Sequence, residues 1–154
     1  MADNEELPSD SSNTTKLHVL IDTNVMLDLV LAREPWATQA KPMWDARDGG
    51  NLVTYLPASV LTDIFYIYRK QVGAARAKSA VEESLRRCII IPIDRTILES
   101  ALTQPGGDFE DNIQIVCARS LGLDLIATRD PAGFAQAPIA AIEPSAIVGR
   151  LPMP

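Results

Sequence analysis

Five aspartates define the chemistry open to this chain. Asp22 closes the apolar run Leu17-His18-Val19-Leu20-Ile21. Asp63 falls early in a helical pattern after a second apolar run, Asp108 and Asp111 open a later helix, and Asp130 stands two residues beyond Thr128. An acid ending a buried strand is costly to desolvate unless it is paired or metal-bound. His18 is the single histidine and lies inside the first run, while Cys88 and Cys117 are the only cysteines and sit within apolar runs as small core hydrophobes. These counts set aside Ser-His-Asp and Cys-His catalysis, zinc held through N or S and a disulfide framework. No glycine-rich phosphate loop is present either. Carboxylates without His or Cys companions suit a hard cation held through oxygen, Mg²⁺ or Mn²⁺. The matching reaction is metal-assisted hydrolysis of a phosphodiester. Singly, the acids have structural readings too: Asp108 and Asp111 suit a helix N-terminus, and Asp63 suits a solvated helix face.

The elements that must position these acids follow from pattern. Apolar strands are expected at 17–21, 51–56, 88–93 and 125–128, with a short edge strand at 138–142. Helices are expected over 25–31 (capped by Asn24), from Trp36 to the Gly49-Gly50 stop, over 60–70 (capped by Ser59), over 74–87, over 95–103 (capped by Asp94) and from Asp108 to about Leu121. The helices at 25–31 and 60–68 are apolar round most of their circumference, which predicts burial or an interface. Alternating strands and helices imply right-handed crossovers and a three-layer α/β/α domain with a central parallel sheet of four to five strands. In such sheets chemistry gathers beyond the carboxyl ends of the strands, where all five aspartates fall.

The chain has 154 residues and a net charge of −6. Residues 1–15 carry four acids and no base, so residues 16–154 hold 16 acids against 14 bases. We read 1–15 as a disordered acidic leader and 16–150 as the domain. The N-terminus lacks a basic and then apolar signal pattern, and no apolar run reaches membrane-spanning length; a cytoplasmic protein without a membrane partner is expected. With the site acids set aside, the balance is mildly basic. Arg69, Lys70, Arg76, Lys78, Arg86 and Arg87 face only Glu82 and Glu83 between residues 69 and 87. That stretch is either a solvated helix face or a phosphate-contacting surface. Arg69, Lys70, Arg76, Lys78 and Arg129 are the candidate RNA-binding residues. Tyr55, Tyr66 and Tyr68 could stack on bases, although such aromatics are more often core.

Leu20-Ile21-Asp22-Thr23-Asn24-Val25 resembles the opening signature of PIN-domain ribonucleases. Asp108-Phe109-Glu110-Asp111 resembles their late acidic motif, and Ala127-Thr128-Arg129-Asp130 with Phe134 their closing one. The order and spacing are similar over about residues 17–148, nearest to the VapC-like bacterial branch. The resemblance implies a PIN-like fold and a site of Asp22, Asp63, Asp111 and Asp130 around one or two Mg²⁺ or Mn²⁺ ions, with Asp108 as a further ligand or only a cap. It implies Thr23, Asn24 and Thr128 as residues that hold the ligands or position water. Asp63 departs from the commoner Glu by one methylene, so it reaches the metal directly or through a water. The implied activity is endoribonucleolytic, by the toxin of a toxin–antitoxin pair, with RNA as substrate, a homodimer as the working form and a cognate antitoxin as partner. The alternative is a catalytically weak or inactive PIN-like module that binds RNA or protein. A phosphatase using Asp22 is weaker, since Asp22-Thr23-Asn24 lacks the second acid of the D-x-D pattern.

Overall fold

The central strand β1 (Leu17–Ile21) is apolar on both faces, and the sheet is built around it. Val19 and Ile21 enter one core and Leu20 the other, all with no exposed surface. The computed structural model describes residues 16–152; the leader assigned to 1–15 lies outside them. The other strands are β2 (Leu52–Pro57), β3 (Ile89–Ile91), β4 (Leu125–Ala127) and β5 (Ala140–Ile142). They form one five-stranded sheet in the order β3-β2-β1-β4-β5, parallel throughout. The helices are α1 (Thr23–Leu31), α2 (Trp36–Asp48), α3 (Ala58–Val72), α4 (Ala74–Arg87), α5 (Arg95–Leu102) and α6 (Phe109–Ser120). Residues of α1 to α4 pack on one face and residues of α5 and α6 on the other. This is the expected three-layer α/β/α arrangement. Chain order reverses at β1, between β2 and β4, so the crevice beyond the ends of β1 and β4 is the switch point where such sheets bind ligands. No helix among the described residues is long and apolar enough to cross a membrane.

Several local expectations are corrected. Asn24 does not cap α1: the helix starts two residues earlier, at Thr23, with Asp22 at the N-cap position and no side-chain cap. Asp22 is diverted because both its carboxylate oxygens are engaged elsewhere, as described below. Ser59 does not cap α3, which begins at Ala58 after Pro57; the Ser59 hydroxyl is buried with no hydrogen-bond partner among the described residues. The third strand pairs only over Ile89–Ile91, because Pro92 has no N–H for the ladder. Burial of α3 is narrow, with only Val60 and Ile64 buried and Tyr66 60% exposed. Asp94 and Asp108 do cap α5 and α6, accepting from the Ile97 and Asp111 amides at 2.9 Å. Both cysteines are free and buried. His18 is a strand residue whose Nδ1 lies 2.9 Å from the Tyr55 hydroxyl.

Candidate active site

The chain leaves β1 at Asp22 and β4 at Thr128, two adjacent strand ends, so the first and last acids meet without any long loop. Asp22 is 8% exposed. Its Oδ1 accepts from Gln114 Nε2 at 2.9 Å and its Oδ2 from the Thr128 hydroxyl at 2.8 Å. These two neutral donors offset part of the desolvation cost and fix the carboxylate, and each oxygen keeps a lone pair for a cation. The Thr128 oxygen also accepts from the Asp130 amide at 3.1 Å. One hydroxyl thus ties the two acids together. Asp130 then accepts from the Gly133 amide at 3.3 Å, capping a 3₁₀ turn over Pro131–Phe134.

A cleft of about 440 Å³ opens at this point, and Asp22, Asp63, Asp108, Glu110, Asp111 and Asp130 all contribute to its wall. Thr23, Asn24 and Phe134 line it too, and among the described residues no Lys or Arg does. All five sequence-derived acids are therefore brought to one cleft, at the strand ends and first helical turns from which they were inferred. Glu110 is the acid that sequence reading passed over. The Thr23 hydroxyl donates to its Oε1 at 2.5 Å, which gives Thr23 a defined partner. Asn24 is exposed on the rim.

The electrostatics of the cleft are those of uncompensated negative charge. Burial, and then the charges of Asp108, Asp22, Glu110 and Asp130, push the Asp111 carboxyl up to about 6. Burial raises Asp63 as well. Partial desolvation of the Glu110 carboxyl raises its pKa, although the residue as a whole is exposed; Thr23 opposes this and Asp63 and Asp22 add to it. Among the described residues, no three His, Cys, Asp or Glu side chains stand close enough together to hold a metal ion; the acids ring the cleft. At Gly133 a Cβ would stand 3.1 Å from Asp130 Oδ2 and 3.5 Å from Asp111 Oδ2. Glycine keeps that cradle open between two carboxylates.

The basic candidates divide. Arg69 and Lys70 end α3, the helix that carries Asp63, and Arg76 and Lys78 lie on α4; all four are exposed. At 1.5 Å per residue, Arg69 is about 9 Å along the helix axis from Asp63. Arg86 and Arg87 are instead tied to Glu83. Arg129, also a candidate RNA-binding residue, is engaged within the fold. Its Nε lies 3.1 Å from Asp28 Oδ2 and its guanidinium stacks 4.1 Å over Trp36. Asp28, an acid inside an otherwise apolar helix, is buried, and burial raises its carboxyl despite the pull of Arg129 and Arg33.

Two further residues were missed. Gln114, which holds Asp22, is three residues after Asp111 and so on the same helix face; that spacing was its signal. Gly133 carried none, since its role depends on where Asp111 and Asp130 converge.

Solved structures share this architecture. Mycobacterium tuberculosis VapC20, described as a sarcin-ricin loop cleaving toxin, superposes with TM-score 0.64 at 17% identity, covering 77% of this chain and 94% of that one. DNA-bound VapBC from Salmonella typhimurium gives TM-score 0.64 at 17% identity, over 83% and 98% of the two chains. A toxin–antitoxin complex from Klebsiella pneumoniae gives 0.61 at 23% identity, over 82% and 97%. No curated protein matches the chain in sequence. The family model of the PIN domain matches residues 18–132, a span that runs from β1 through Asp130, and the chain belongs to the PIN domain family.

Proposed function

We propose that the protein is a metal-dependent endoribonuclease, the toxin of a toxin–antitoxin pair, acting through the acidic cleft at the β1/β4 switch point. The observation that carries this reading is the cleft wall: six carboxylates from four places in the chain (the ends of β1 and β4, α3 and the start of α6), no Lys or Arg among the described lining residues, and Asp22 held on both oxygens. Such a donor set fits a hard divalent cation and leaves no group suited to zinc or to histidine catalysis. Asp22, Asp111 and Asp130 are the ligands we assign, with Asp63 and Asp108 at the edge of the set, for one or two Mg²⁺ or Mn²⁺ ions. A cation held there would supply a water of lowered pKa and a polarised scissile phosphate.

The chain's own residues do the rest. Gln114 and Thr128 orient Asp22, and Thr128 carries Asp130 with it. Gly133 leaves room between Asp111 and Asp130. Thr23 holds Glu110 by one oxygen, so the other is free to accept the proton of the attacking water. Arg69, Lys70, Arg76 and Lys78 form the track for RNA phosphates, which lysine and arginine contact without reading sequence. A cognate antitoxin, a homodimer and a cytoplasmic location belong to the same reading. Relatives solved as toxin–antitoxin complexes support the antitoxin.

The test is cleavage of labelled RNA by the full chain with Mn²⁺, with and without chelator, beside Asp22→Asn. Cleavage that chelator and the substitution both abolish is expected. Equal cleavage by both proteins would overturn the assignment, and RNA binding without any cleavage would leave a binding module.

A further inference from the structure

Asp28 and Arg129 form an ion pair that neither the proposed chemistry nor the apolar core accounts for. Asp28 lies within α1 and is 1% exposed. Arg129 Nε stands 3.1 Å from its Oδ2 and Arg33 Nη1 3.9 Å from its Oδ1. The same Arg129 guanidinium lies 4.1 Å over the ring of Trp36, the first residue of α2. A buried ion pair adds little net stability, because desolvation offsets the attraction and apolar replacements often do as well or better. What this one supplies is placement. A planar guanidinium ion-paired at one edge and stacked on its face is restricted in how it can move or turn. Arg129 sits between Thr128, whose hydroxyl donates to Asp22 and accepts from the Asp130 amide, and Asp130 itself. Any shift of Arg129 therefore moves the donor to Asp22 and the carboxylate of Asp130 together.

We infer that Asp28, Arg129 and Trp36 are a positioning device for the acidic cleft, clamping the segment Thr128–Asp130 against α1 and α2 and so setting the separation of the Asp22 and Asp130 carboxylates. The inference rests on reading that cleft as a divalent-cation site. Arg129 is a positioning residue and touches no substrate.

The test is calorimetric titration of the full chain with Mn²⁺, alongside thermal melting in chelator. Three variants serve: Arg129→Lys, which keeps the charge but loses the planar fork; Trp36→Leu, which removes only the stack; and Asp28→Leu with Arg129→Met, which removes the pair. Each conserves the net charge, and Arg129→Lys and Trp36→Leu also keep every charge near its place, so affinity losses in those two do not come from lost Coulomb attraction. Mn²⁺ affinity should fall about tenfold in Arg129→Lys and in the double variant, the lower end of what outer partners of metal ligands contribute, and by a smaller factor in Trp36→Leu. The double variant should melt no lower than the parent. Parental Mn²⁺ affinity in all three variants would overturn the inference while leaving the cation site standing, as would affinity losses that only follow losses in melting temperature. Absence of Mn²⁺ binding by the parent would remove the cation site and this inference with it. If the double variant does not fold, Arg129→Lys and Trp36→Leu decide.

Discussion

Replacing Asp111 by Asn separates an electrostatically strained site acid from a helix-end residue. In the folded chain the Asp111 carboxyl titrates at about 6 against 3.8 for the free group, first through burial and then through four neighbouring acids. The folded state thus holds this proton more tightly than the unfolded state does. Its contribution to stability is complete below about pH 4 and is lost as pH rises through about 6. The shift of about 2 units corresponds to about 3 kcal/mol, and solvent screening at this half-buried position reduces that to about 1–2 kcal/mol. Asn removes the titration and keeps the shape. In chelator at pH 7.5 the variant should be about 1–2 kcal/mol more stable than the parent, with the difference closing near pH 4. For a chain of this size each kcal/mol moves Tm by about 2–4 °C. Mn²⁺ at a hundredfold excess over Kd should add about 2.7 kcal/mol to the parent and less to the variant. Melts at pH 4 and 7.5, with chelator and across a Mn²⁺ series, read both effects. Equal stability at pH 7.5 in chelator together with equal Mn²⁺ shifts would refute the reasoning.

Thr128→Val removes the hydroxyl that bridges Asp22 and Asp130 and should cost about 1.5–3 kcal/mol, the range for a hydrogen bond to a charged group; a loss under about 0.5 kcal/mol in denaturant unfolding would contradict that bridge. Gly133→Ala puts a methyl 3.1 Å from Asp130 Oδ2 and should lower Mn²⁺ affinity about tenfold while changing stability by under about 0.5 kcal/mol, as measured by calorimetry and melting. Changing Arg69, Lys70, Arg76 and Lys78 to Ala should weaken RNA binding in chelator. It should also flatten the plot of log K against log salt by about 0.7 for each phosphate no longer neutralised; an unchanged slope would clear α3 and α4 of an RNA role.

The sheet was legible because β1 is a short, β-branched apolar run ended by Asp22, a pattern that fits a strand covered on both faces. The acids were legible because each follows a strand or opens a helix, and parallel topology brings those points together. The caps were misjudged for a physical reason. Asp22 occupies an N-cap position but spends both oxygens on Gln114 and Thr128, and Pro57 rather than Ser59 precedes α3. Local rules rank capping residues by type and do not see a distant donor. Glu110 was hidden by its neighbours, since a lone glutamate between two aspartates in a first helical turn reads as dipole compensation until Thr23 is seen to hold it. Arg129 read as a surface cation beside a site acid. Its inward turn depends on Asp28, 101 residues earlier in the chain.

The most direct test of the central claim is the chemistry of the cut. In the proposed mechanism, water in the acidic cleft with a cation bound would attack phosphorus without help from the neighbouring ribose. An RNA with a single 2′-deoxy nucleotide at the cleaved position should therefore still be cut by the Mn²⁺-loaded protein, leaving a linear phosphate end, and Asp22→Asn should leave both substrates intact. Loss of cutting on the 2′-deoxy substrate, a 2′,3′-cyclic phosphate end, or cleavage that survives chelator would contradict the account.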